Sequence, residues 1–248
     1  MFAVVRFEEK EKGIKNVFSK KGIKSQRIFL PNGESFFIIT AQKHKGKIPF
    51  EKIAEFSGIL NKSLIFPESC TVPEEYCFEP KKLKQKMLFQ LLVSYLQKNR
   101  PDIFSTSLCI CDSEGIYAKE IEQLLPFAFK IHIVCERPDL YENTVKHLFS
   151  EYGISVTVSE NFNSLAKKCS IVLSEDSSQL PLGFYGVLFT LKKGSVPAEK
   201  VFTAEVSGMS AEYEKLCPED ISETLFACAL YEKCKVDYKE FFLDKGCV

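Results

Sequence analysis

Three short polar clusters carry the residues of this chain best suited to chemistry. They read Asp112-Ser113-Glu114-Gly115, Glu136-Arg137 and Ser174-Glu175-Asp176. Each follows an apolar run of strand length, so a parallel sheet would bring them to one edge. Carboxylates gathered there suit a cation, or a hydroxyl-rich ligand such as a ribose. Arg137 suits a phosphate. Between them stands a single glycine, Gly115, where a loop built to approach a phosphate would hold several.

The elements that must position these clusters alternate. Leu108–Cys111, Ile131–Cys135, Ile154–Val158 and Ser170–Leu173 are the apolar runs expected of strands buried on both faces. Helices are expected over Gly115–Leu125 and Asp139–Tyr152, with Gly153 placed as a C-cap. Phe184–Leu191 and Val201–Val206 supply a fifth and sixth strand, and Pro218–Cys234 a closing helix. This alternation predicts an α/β fold whose ligand crevice lies at the carboxyl ends of the strands.

Upstream, the pattern predicts a smaller α/β domain. Phe2–Phe7 reads as a strand, and Arg27–Leu30 with Ser35–Thr40 as a hairpin about Pro31-Asn32-Gly33-Glu34. A helix opens at Pro49 and runs to Leu60, Ser63–Phe66 is a short strand, and Cys70–Pro80 is a connecting loop. Leu83, Met87, Leu88, Leu91, Leu92, Tyr95 and Leu96 recur at helical spacing within Lys81–Asn99, which reads as a packed bridge. The expected domains are therefore 1–100 and 101–248.

Composition narrows the function classes. Lys and Arg number 33 against 33 Asp and Glu, so no general attraction to nucleic acid or anionic lipid follows. Met1–Leu60 holds 12 basic and 6 acidic residues, an excess read as a solvated face that protects edge strands. The cluster Lys43-His44-Lys45-Gly46-Lys47 is read the same way. The 10 cysteines include no Cys-x-x-Cys and do not pair with the 3 histidines at zinc spacing, so no metal site is expected. Free thiols, no membrane-length apolar run and no leader-like start imply a cytoplasmic protein. Small-molecule or protein partners stay open, as does oligomeric state.

The stretch Leu108–Leu173 resembles the Rossmann-like domains of amino-acid and shikimate-type dehydrogenases and of glutamyl-tRNA reductase. The likeness lies in strand spacing and in Ser164-Leu165-Ala166-Lys167-Lys168-Cys169-Ser170-Ile171-Val172-Leu173. It implies an NAD(P) cofactor, with Gly115 near the phosphates and Glu136 or Arg137 at the ribose. Asp112 and Glu114 oppose this, because like charges about 4 Å apart cost roughly 4 kcal/mol at an effective dielectric of 20. The segment Ile110-Cys111-Asp112-Ser113-Glu114-Gly115-Ile116 also resembles the first motif of haloacid-dehalogenase-type phosphatases. That likeness implies an Asp112 nucleophile, Glu114 as acid/base and a magnesium ion held with Glu175-Asp176. Cys135-Glu136 departs from the Ser or Thr of that family's second motif. The first expectation is a degenerate Rossmann-like domain serving as a ligand-binding or protein-interaction module, with the oxidoreductase and the phosphatase as alternatives.

Overall fold

The computed structural model describes residues 1–8, 23–42, 48–58, 61–176, 178, 180–181, 184–192 and 198–247. The cluster Lys43–Lys47 lies outside them. Among the described residues no helix is long and apolar enough to cross a membrane.

The chain divides into two compact units, Met1–Leu83 with Val206–Phe242, and Lys84–Glu205 with Leu243–Val248. This differs from a linear division near residue 100. In the first unit, β1 (Ala3–Glu8) and β3 (Ser35–Gln42) run parallel, β2 (Lys24–Phe29) closes the hairpin on β3, and β4 (Leu64–Ile65) pairs β1. The hairpin turn holds as read, with Asn32 Oδ1 accepting from the Glu34 amide at 3.2 Å. Helix α1 covers Phe50–Ser57. The late helix of the chain, Glu223–Cys234, belongs to this unit. Its Phe226 ring meets Phe2 at 5.8 Å and Phe36 at 5.3 Å, and the latter two stack at 5.1 Å. Such aromatic burial outweighs proximity in sequence, which is why the linear boundary does not follow the units.

In the second unit, helix α2 (Lys82–Asn99, of which Lys84 onward lies here) precedes β5 (Ser107–Cys111), β6 (Lys130–Val134), α3 (Glu142–Tyr152), β7 (Thr157–Ser159), α4 (Phe162–Ala166), β8 (Ile171–Leu173) and β9 (Val187–Thr190). Strand β10 (Lys200–Met209, of which Lys200–Glu205 lies here) pairs β9 in parallel, and β11 (Phe241–Cys247, of which Leu243 onward lies here) completes a seven-stranded sheet. Its order is β11-β10-β9-β8-β5-β6-β7. Read from β7 to β10, the first strand is central, the second and third lie to one side, and the fourth to sixth to the other. That is the doubly wound Rossmann-like order.

Both faces are covered, so the strands read as continuous apolar runs. Leu108, Cys109, Ile110, Val172 and Leu173 are wholly buried. On one face Tyr95 of α2 meets Phe189 at 5.5 Å and Phe202 at 5.1 Å. On the other, Ala166 of α4 joins Cys109, Cys169, Val172 and Leu188. These cysteines pack as small hydrophobes, and Cys109 and Cys169 are buried free thiols.

Just before β9, Gly186 gives its carbonyl to the Glu199 amide, while the next amide, Val187, donates to Ser170 at 2.9 Å. A Cβ on Gly186 would sit 2.2 Å from the Ser170 carbonyl oxygen, and backbone on both sides cannot yield. Gly186→Ala is therefore expected to cost about 3 kcal/mol, read as a lowered urea midpoint at unchanged slope.

Candidate functional site

The central strands deliver their polar termini to one place. Strand β5 ends at Cys111-Asp112, β6 at Cys135-Glu136 and β8 at Ser174, and the point between β5 and β8 is where the strand order reverses. The ladder runs one residue past the strands there: the Asp112 amide donates to Val134 and the Ser174 amide to Phe189, both at 2.9 Å. Above them lies a cavity of about 220 Å³ lined by Cys111, Asp112, Ser113, Val134, Glu136, Ser174, Glu175 and Asp176. Six of the nine residues read from the sequence line it. Glu114, Gly115 and Arg137 do not.

Asp112 is 1% exposed and turned inward. Its Oδ2 accepts from the Tyr117 amide at 2.7 Å and from the Tyr141 hydroxyl at 2.5 Å, while Oδ1 accepts from the Glu114 amide at 3.2 Å. Three donors thus converge on one carboxylate, the arrangement that lets a charge stay buried. Tyr141 titrates far above the ordinary phenol range, first because it is buried and then because ionisation would place two anions together. Burial, with Glu175 and Asp112 nearby, does the same to Tyr117.

The donors are held by contacts of their own. The Tyr117 ring stacks on Phe89 at 5.1 Å and its hydroxyl donates to the Gln85 carbonyl at 3.2 Å. Gly115 adopts φ +70°, and a Cβ there would meet the Leu140 Cβ at 2.9 Å. The glycine therefore serves the loop's left-handed turn and its packing on Leu140, where the dehydrogenase resemblance assigns it to a phosphate. The helix expected over Gly115–Leu125 is absent. Turns run from Asp112 to a short 3₁₀ segment at Ile121–Leu124. No helix N-terminus follows β5, so the usual dipole and free amides for a pyrophosphate are missing.

The second and third clusters divide similarly. Glu136 is exposed at the cavity rim. Arg137 is turned to Asp139 at 2.8 Å, a hydrogen bond that holds the guanidinium charged. Ser174 is buried and donates to the Asp176 carbonyl at 3.0 Å. Glu175 accepts from the buried Gln85 side-chain amide. Asp176 accepts from the Ser178 amide at 2.8 Å, which with Lys192 nearby holds its carboxyl below the usual range. Among the described residues no three of His, Cys, Asp and Glu are disposed to hold a metal ion. The donor set implied by the phosphatase resemblance does not fit this crevice.

Tyr117, Tyr141 and Gln85 were not legible as site residues. Asx-type bonding from Asp112 to the Glu114 amide has a local signal, but Tyr141 lies 29 residues away and Gln85 on another element. His147 of α3 faces Glu122 at 3.9 Å.

No family model matches the chain, and no curated protein does. Solved structures with partial likeness include a Thermococcus litoralis Δ1-pyrroline-2-carboxylate reductase in complex with NADH and L-proline, at 9% identity and a TM-score of 0.27, covering 68% of this chain and 43% of that one. A Listeria monocytogenes shikimate 5-dehydrogenase in complex with shikimate and NAD gives 11% and 0.27, covering 56% and 58%. An L-tryptophan dehydrogenase from Nostoc punctiforme gives 10% and 0.35, covering 84% and 65%. The chain thus spans less than two thirds of the length of each. Likeness at this level carries no shared chemistry.

Two outcomes follow from the geometry. Tyr141→Phe removes a hydrogen bond to a buried charge and is expected to lower unfolding free energy by about 2 kcal/mol in denaturant titration. His132, across from Cys109 in β6, has a buried Nδ1 with no partner, and burial with Lys130 and Lys168 nearby lowers its pKa. The folded state therefore binds fewer protons than the unfolded one once the pH falls through about 6.5. Stability is expected to drop from pH 7.5 to 5.5, and less steeply in His132→Gln.

Proposed function

We infer that this protein is a Rossmann-like module that binds a small ligand at the β5/β8 crevice and does not take a dinucleotide through a pyrophosphate loop. The observation that carries this reading is the Asp112 carboxylate, which consumes the Glu114 and Tyr117 amides that would otherwise face a phosphate. Size supports it. A cavity of about 220 Å³ falls below the roughly 300–1,000 Å³ of drug-sized ligand pockets, and its carboxylate rim repels diphosphates. The ligand this suits is compact, without phosphate, and able to donate hydrogen bonds to Glu136, Glu175 and Asp176. The free thiols support a reducing, cytoplasmic setting.

A second reading, an oxidoreductase with an atypical cofactor loop, draws on Glu136 alone. It stands at the crevice where β6 ends, the place of a ribose-binding acid. The phosphatase reading has less support, since both Asp112 oxygens are already engaged, Oδ2 by two donors and Oδ1 by one.

Equilibrium titration with NADH and NADPH decides between the first two. No saturable heat and no thermal shift up to millimolar cofactor are expected. Saturable binding lost in Glu136→Ala would establish the second reading instead.

A further inference from the structure

We propose that the loop Asp112–Tyr117 together with Tyr141 is an anion site that the chain fills with its own Asp112 side chain. This deepens the reading above by assigning the exclusion of competing anions to one specificity-determining residue.

Three features make it a site and not merely a satisfied aspartate. First, the donors come from separate places, two loop amides and a hydroxyl 29 residues from Asp112, yet all reach the same carboxylate within 3.2 Å. Second, they are positioned without its help. Tyr117 is fixed by Phe89 and the Gln85 carbonyl, and the loop's left-handed turn by Gly115 against Leu140. The Tyr141 ring is wholly buried and ends a 3₁₀ turn over Pro138–Tyr141. Third, Asp112 itself lines the 220 Å³ cavity, so the space vacated by its side chain would open into a crevice. Buried donors left unpaired are costly, which drives them to accept any small anion that reaches them. A carboxylate the size of formate matches the group removed.

The test is rescue of Asp112→Ala. Its melting temperature, followed by circular dichroism, is expected to fall relative to wild type and to rise saturably with sodium formate. At ten times the dissociation constant the rise is about 3–6 °C beyond sodium chloride of equal ionic strength. Wild type is expected to show no formate-specific rise, and Asp112→Ala/Tyr141→Phe to lose most of it. A folded Asp112→Ala that responds equally to formate and chloride overturns the proposal. So does a formate-specific rise that survives the double substitution. Should Asp112→Ala not fold, Asp112→Ser takes its place, since its hydroxyl keeps one acceptor at the Glu114 amide. Failure of both to refold with formate in the buffer counts equally against the site. Cofactor binding by wild type would refute the functional reading alone, and absence of rescue this proposal alone.

Discussion

One buried carboxylate decides what the central crevice can do. Asp112 ends the middle strand of the parallel sheet and takes two loop amides and a tyrosine hydroxyl. In water a carboxylate is fully solvated, so withdrawing it is tolerable only where charge-assisted hydrogen bonds replace that solvation. Two amides of the loop after β5 are thereby spent on a side chain, and the crossover runs through turns and a 3₁₀ segment.

The surrounding architecture holds that arrangement rigid. A sheet covered by α2 on one face and α4 on the other fixes β5 between β6 and β8. Gly115 brings the loop down on Leu140, and Phe89 clamps Tyr117. The cavity left over is small and rimmed by Glu136, Glu175 and Asp176. A strand order associated with nucleotide binding thus carries an edge lined by carboxylates, and one scaffold can host many chemistries.

Much of the scaffold was legible because burial leaves a strong trace in sequence. Leu108–Cys111, Ile131–Cys135 and Ser170–Leu173 announced central strands, and the Asn32-Gly33 turn announced its hairpin. The acids of the crevice were legible as strand-end residues. Their orientation was not. Whether Asp112 points to solvent or inward depends on Tyr141, far along the chain, and no local pattern encodes that bond. The helix expected over Gly115–Leu125 does not start at Gly115, whose left-handed turn packs on Leu140, 25 residues along the chain. The association of Glu223–Cys234 with the first unit likewise turns on Phe226 meeting Phe2 and Phe36, a contact that spacing cannot reveal.

Amide hydrogen exchange at Tyr117, resolved by NMR, tests the central idea most directly. If the Asp112 carboxylate holds this amide, its exchange will be as slow as that of the buried β5 amides Cys109 and Ile110. Exchange at the rate of an open surface loop would mean the donors are free to meet a ligand, and the account of this crevice would be wrong.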